Sequence, residues 1–182
     1  MNVWIASDIH GSALYCRKLL DLVERQGGGR LVLLGDLLYH GPRNDLPAGY
    51  DPKAVFAMLN ERKDRILCVH GNCDAEVDQM VLDFPIEADF RVEDLCGRRL
   101  FLTHGHHWNA DQRPAPKALD GASYVVYGHF HVPVKRQEDG VWYLNPGSVS
   151  IPKEGSWHGC IRMTEEAIQW LDLDGKVKDE LR

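Results

Sequence analysis

The chain has 182 residues, with 21 Lys and Arg against 27 Asp and Glu, a formal net charge of −6, and 44% hydrophobic residues; this suits one globular domain, residues 1–182, around a single core. The acidic balance argues against a broad nucleic-acid-binding face, and the short N-terminal apolar run, with no basic residues before it, argues against a signal peptide or membrane span. Five cysteines without a CxxC pair (Cys16, Cys68, Cys73, Cys96 and Cys160) point to a reduced, cytoplasmic protein rather than a disulfide framework.

Residues 2–6 form an apolar run that predicts a strand, and the block Asp8-Ile9-His10 follows it. A helix is expected next, with Ser12 as its N-cap, Leu14, Leu19, Leu20 and Val23 as its apolar stripe, and Gly27-Gly28-Gly29 as its end. A second strand over 31–34 runs into Gly35-Asp36. The stretch 41–51, rich in Gly, Pro, Asn and Asp, follows this block directly and reads as a functional loop. A second helix is expected from Pro52 to Arg62, with Pro52 in the first turn, and a third strand over 66–69 leads to Gly71-Asn72-Cys73-Asp74.

From about residue 89 the alternation of strand and helix stops. Strands are predicted over 90–95, 99–103, 124–127, 132–136, 141–144, 159–163 and 168–173, with turns at Glu138-Asp139-Gly140 and Asp174-Gly175. Two of these strands run into Thr103-His104-Gly105-His106 and Gly128-His129-Phe130-His131. A βαβαβ start followed by consecutive strands predicts a four-layer α/β/β/α sandwich of two mixed sheets flanked by helices.

Five blocks at strand ends thus carry Asp8, His10, Asp36, Asn72, His104, His129 and His131. Residues at the ends of several strands can converge at one edge of a sheet. Carboxylate, imidazole and amide-oxygen donors without thiolate suit manganese, iron or zinc better than a closed structural zinc site. Seven donors are too many for one ion; with one carboxylate bridging they divide into two adjacent spheres. Two such ions, ~3.5–4 Å apart, share a hydroxide nucleophile and stabilise both oxygens of a displacement at phosphorus. Two divalent cations, two aspartates and one hydroxide leave one net positive charge, which matches a phosphodiester monoanion without excluding a monoester.

The ordered blocks resemble the signature of the calcineurin-like metallophosphoesterase superfamily. The resemblance narrows to the small YfcE-type bacterial phosphodiesterases through Ser7-Asp8-Ile9-His10-Gly11-Ser12, His40-Gly41-Pro42-Arg43-Asn44, Gly71-Asn72-Cys73-Asp74 with Glu76-Val77-Asp78-Gln79-Met80, and the run from Asn145-Pro146-Gly147-Ser148 to Lys153. It extends from residue 2 to about 153. It implies that Asp8, His10 and His131 hold one metal, that Asn72, His104 and His129 hold the other, and that Asp36 bridges two divalent ions, usually manganese. Many members carry His where this chain has Cys73, and that His is the usual candidate to protonate the leaving group. A thiol of ordinary pKa about 8.5 is less well matched to that task, so activated leaving groups are expected and the identity of the general acid stays open.

Outside the seven, Arg43 is the first candidate for phosphate binding through its guanidinium; the alternative is a loop arginine paired with Asp45. One of His106 and His107 is expected near the site and the other in solvent, with His106 preferred. His40 is a further candidate to approach the substrate, while His158 is expected as a surface imidazole. Residues 145–148 read as a tight turn supporting the metal ligands from below. The function expected is metal-dependent hydrolysis of a small phosphodiester, with no stable nucleic-acid or membrane partner and with a homo-oligomer left open. A phosphomonoesterase or a cyclic-nucleotide hydrolase is the alternative on the same site. A protein-binding scaffold of the kind found in the retromer subunit would show eroded ligands, and here all seven are present.

Overall fold

The computed structural model describes residues 2–182. The first half runs β1 (Val3–Ala6), α1 (Ala13–Arg25), β2 (Arg30–Leu33), α2 (Pro52–Asn60) and β3 (Ile66–Cys68). The second runs β4 (Phe90–Leu95), β5 (Arg98–Thr103), α3 (Pro116–Leu119), β6 (Tyr124–Val126), β7 (Pro133–Glu138), β8 (Val141–Pro146), β9 (Gly159–Met163), β10 (Ile168–Asp172) and β11 (Val177–Leu181). They form two mixed sheets, ordered β11-β10-β9-β1-β2-β3 and β4-β5-β6-β8-β7. In the first sheet β1, β2 and β3 are parallel; in the second β5, β6 and β8 are parallel.

The period-two side-chain pattern of the strands decides the layers. Trp4, Ala6, Leu31 and Leu33 face α1 and α2, whereas Val3, Ile5, Val32 and Leu34 face the second sheet and meet Leu100, Leu102, Val126 and Leu144 there. Ser12 caps α1, its Oγ accepting the Tyr15 N–H at 3.2 Å. Asp51 does the same for α2, accepting the Ala54 N–H at 3.1 Å ahead of Pro52 in the first turn.

Several expectations are corrected. The buried face of α1 is Cys16, Leu19, Leu20, Leu22 and Val23; Leu14, expected in that stripe, is 43% exposed. Two positions before Cys16, it points about 200° round the helix. Helix α2 ends at Asn60, and a separate 3-10 turn covers Lys63–Arg65. His158 is not a solvated surface imidazole: it stacks on Tyr15 with ring centroids 3.9 Å apart, and its Nδ1 lies 2.9 Å from the Val149 carbonyl. The fourth layer is thin. The outer face of the second sheet, Phe101, Val125, Tyr127 and Tyr143, is covered by Trp108, Ala110, Ala118, Leu119 and Ala122, which lie in a long loop and the single turn α3. Strand β11 was not expected. It is a charged edge strand with no alternating pattern, joined to the second sheet by Lys135 Nζ donating to Asp179 Oδ1 at 2.5 Å.

Candidate metal centre

The five sequence blocks sit just beyond the C-terminal ends of β1, β2, β3, β5 and β6. The backbone continues the β1–β2 pairing past the strands, with Asp8 N–H on Gly35 O at 3.2 Å and His10 N–H on Asp36 O at 2.9 Å. The chain then leaves regular geometry. Asp8, His10, Asp36, His129 and His131 all have positive φ, between 48° and 68°. For residues other than glycine this costs about 1–3 kcal/mol each and persists only where the surroundings enforce it, typically at functional sites. Close approach also demands glycine. A Cβ on Gly128 would lie 1.9 Å from Ser7 Oγ and 2.9 Å from Asp8 Oδ2, and one on Gly71 would lie 2.2 Å from Asp36 Oδ1.

These loops bring all seven predicted donors together. Asp8, His10 and His131 form one cluster, and Asp36, His104 and His129 a second. Asp36 Oδ2 lies 3.6 Å from His10 Nε2 and 3.4 Å from His104 Nε2, so it faces both. Asn72 Oδ1 approaches His104 Nε2 at 3.0 Å, and His129 Nδ1 approaches the same nitrogen at 3.3 Å. Three rings are oriented by backbone carbonyls: Nδ1 of His10 faces Tyr39 O at 2.8 Å, that of His104 faces Leu34 O at 2.6 Å, and that of His131 faces Ile151 O at 2.7 Å. A carbonyl can only accept, so each Nδ1 carries a hydrogen and each Nε2 is turned inward, where its lone pair is available to a cation once the ring is neutral.

That arrangement fits divalent cations. His10 Nε2 and His131 Nε2 are 3.2 Å apart, and two lone pairs at that distance need a proton or a cation between them. Buried Asp8 Oδ1 lies 3.2 Å from His131 Nε2 and accepts no hydrogen bond; a buried carboxylate oxygen left in this way is costly unless a positive charge meets it. Burial would raise the Asp8 carboxyl, but His10, His131 and His104 outweigh it and hold the group well below the ordinary range. Burial likewise opposes protonation of His104, yet Asp36 and Asp8 push that imidazole up to about 9. His129 moves down, through burial and the neighbouring His104.

The donors open on a cleft of about 710 Å³. Exposed Arg43 lines it and, among the described residues, has no ion-pair partner, so the alternative pairing with Asp45 is absent. Cys73 also lines the cleft, with Sγ within 4.8 Å of donor atoms of His10 and Asp36 and accepting the Asn72 Nδ2–H at 3.4 Å. Burial and the carboxylates of Asp36, Asp74 and Asp8 push its thiol up to about 12. His106 lies beside the second cluster, with ring centroids 5.4 Å from His104 and 6.2 Å from His129. Burial and the neighbouring imidazoles bring it down to about 4, so it is neutral. His107 is exposed. His40 packs edge-on against Tyr39 and Tyr50 instead of lining the cleft.

Sequence reasoning gave Asp74 no role, and it is the main clamp of the site. Its buried carboxylate accepts three backbone N–H groups, from Asp36 and Gly71 on Oδ2 and from Leu37 on Oδ1, all at 2.8 Å. It thereby ties the loop after β3 to positive-φ Asp36 in the turn after β2. Ser148 acts similarly: its Oγ donates to the Asp8 carbonyl at 2.9 Å and accepts the N–H of Ile151 at 2.9 Å and of Ser150 at 3.2 Å. Asn145 donates to Gly128 O at 2.8 Å. Residues 145–148 therefore do underlie the candidate ligands.

A model of the calcineurin-like phosphoesterase superfamily domain matches residues 1–167. Phosphodiesterase YfcE of Escherichia coli K12 is 49% identical over 156 residues, covering 86% of this chain and 83% of the relative. The solved structure of that Escherichia coli phosphoesterase superposes with a TM-score of 0.92 at 42% identity, over 100% of this chain and 98% of the other. Vps29 of Entamoeba histolytica, complexed with zinc, matches with a TM-score of 0.58 at 18% identity, over 100% of this chain and 98% of the other, and shares the fold alone.

Proposed function

The chain belongs to the calcineurin-like phosphoesterase superfamily, and on that premise we propose that it is a metal-dependent phosphodiesterase with a dinuclear centre. One observation carries the reading: the donor atoms of two three-residue clusters meet around a shared carboxylate, with the imidazole Nε2 atoms of His10, His104 and His131 turned inward. Asp8, His10 and His131 would hold one ion; Asn72, His104 and His129 would hold the other; Asp36 would serve both. Manganese suits this oxygen and nitrogen set. Two bound divalent cations would lower the pKa of a shared water to give a nucleophile and would offset charge on the phosphoryl oxygens.

The chain's own residues do the rest. The carbonyls of Tyr39, Leu34 and Ile151 hold the imidazoles in the tautomer that leaves Nε2 free. Asp74 holds the backbone of Asp36. Arg43, unpaired on the cleft wall, supplies a bidentate donor for a phosphate oxygen. The neutral His106 imidazole packs beside His104 and His129 without lining the cleft and would help to hold the orientation of those two rings. Cys73 occupies the position of a leaving-group acid, but a thiol at about 12 donates a proton weakly. The enzyme therefore favours leaving groups that depart as stable anions.

The test strips the protein with chelator and reloads it with manganese, zinc, magnesium or nothing. Hydrolysis of bis(p-nitrophenyl) phosphate is followed beside p-nitrophenyl phosphate, with Asp36→Ala and His129→Ala as controls. Faster diester turnover that needs metal and disappears in both variants is expected. Faster monoester turnover would make the protein a phosphatase. Two bound metals with no turnover of either ester would point to a binding platform.

A further inference from the structure

Two aromatic side chains stand at the mouth of this cleft without a part in the chemistry just described. Tyr39 is 44% exposed and Phe130 45%, and both line the cleft. Large aromatic rings are ordinarily buried for the area they remove from water, so two of them open to solvent on one cleft call for an occupant.

Their positions tie them to the cleft floor. Phe130 lies between His129 and His131 in the chain, and the Tyr39 carbonyl receives the Nδ1–H of His10. Phe130 is held edge-on by His129 at 5.1 Å and 83°, and by Tyr127 at 6.1 Å and 87°. Tyr39 meets His40 at 4.8 Å and 70°. Contacts of this kind fix the plane of a ring, and nearly half of each side chain remains open to solvent.

Two cations line the same cleft. Arg43 follows Tyr39 on the loop after β2, and Lys153, whose backbone N–H donates to the His131 carbonyl at 3.0 Å, lines the cleft on the side of Phe130. Neither cation has an ion-pair partner among the described residues. Both rings and both cations thus line the same cleft as the candidate ligands Asp36, Asn72, His129 and His131.

Resting on the phosphodiesterase reading, we infer that Tyr39 and Phe130 are specificity-determining residues that stack on a planar aromatic substituent of the substrate, which is an aryl or nucleoside phosphodiester. Stacking reads flatness and not identity, because every base has a π-face. Selection between aromatic and aliphatic substituents is therefore expected, with little discrimination between one base and another.

The experiment measures by calorimetry the binding of uridine 5′-monophosphate and of ribose 5-phosphate to the manganese-loaded protein. Both ligands carry the same sugar phosphate and only the first carries a ring. A Kd about tenfold lower for the nucleotide is expected, the order that stacking on an aromatic side chain supplies. The Tyr39→Ala/Phe130→Ala double variant brings the ratio of the two Kd values close to one. The conservative Tyr39→Phe and Phe130→Tyr variants keep it, which a merely structural role for the rings in fold stability would not separate. Equal Kd values in the unaltered protein, or a preference that survives the double substitution, overturn the inference.

Turnover of bis(p-nitrophenyl) phosphate is measured on the same preparations. Turnover without nucleotide preference overturns the stacking platform alone. Nucleotide preference without turnover supports the platform and overturns the phosphodiesterase reading.

Discussion

The carboxylate of Asp74 accepts three backbone N–H groups with two oxygens, and that arithmetic makes it sensitive to the smallest change. Asp74→Asn replaces one acceptor with a donor, so at least one buried N–H loses its partner. A loss of about 1–3 kcal/mol in urea unfolding is expected, together with weaker manganese binding, because the clamp on the Asp36-Leu37 backbone is loosened. Stability and affinity unchanged in that variant would show that the clamp is dispensable. At Cys73 the expectation runs the other way. If the thiol donates weakly, Cys73→Ala lowers kcat on p-nitrophenyl diesters by less than about tenfold, well short of the 10²-fold or more that a working general acid supplies. A drop beyond 10²-fold would make the thiol the proton donor.

At the scale of elements, the site is assembled by the turns after β1, β2, β3, β5 and β6, and these turns depend on one another. The loop after β6 lies against Ser7 and Asp8 through Gly128, while the turn after β8 holds the Asp8 carbonyl through Ser148 and Ser150, at 2.9 and 3.1 Å. Gly128→Ala puts a methyl group where Ser7 Oγ now sits. We expect a loss of about 1–3 kcal/mol in thermal or urea unfolding, and a fall in metal affinity larger than a change in the helices α1 or α2 would give. A fully stable Gly128→Ala protein with normal metal binding would mean that the loops move independently.

For the whole molecule, the buried charges couple metal binding to pH. His104 is raised to about 9 from an ordinary value near 6.5. The sign follows: without a cation, its protonated ring contributes stability that is full below about pH 6.5 and is lost as pH rises through about 9. A cation needs the neutral ring and displaces that proton. The apparent affinity for manganese should therefore rise with pH up to about 9, by as much as about tenfold per unit for one proton. Calorimetry in buffers of different ionisation enthalpy reads the released proton directly; a pH-independent affinity with no proton release would contradict the assignment of His104 as a ligand.

The candidate site was legible in the chain to the extent that its parts are local. Each donor belongs to a short block after an apolar run, and the order of those blocks carries the family resemblance over residues 2 to about 153. The strand and helix pattern likewise predicts the two mixed sheets, because side-chain period two and the βαβ crossover leave few alternatives. What the sequence did not reveal depends on contacts between distant residues. Asp74 acts on Asp36 and Leu37, about forty positions back, and Ser148 acts on Asp8 across 140. Strand β11 is charged and has no apolar alternation, so only its pairing with β10 and the Lys135–Asp179 bond make it a strand. By itself the sequence determined the donor types, their order and the sheets that carry them. The division of the donors into two groups came from the family resemblance, while the tertiary structure alone decided which nitrogen of each imidazole faces inward and that Tyr39 and Phe130 stand open on the cleft. Those properties arise from backbone turns at positive φ, which only the packed surroundings can hold in place.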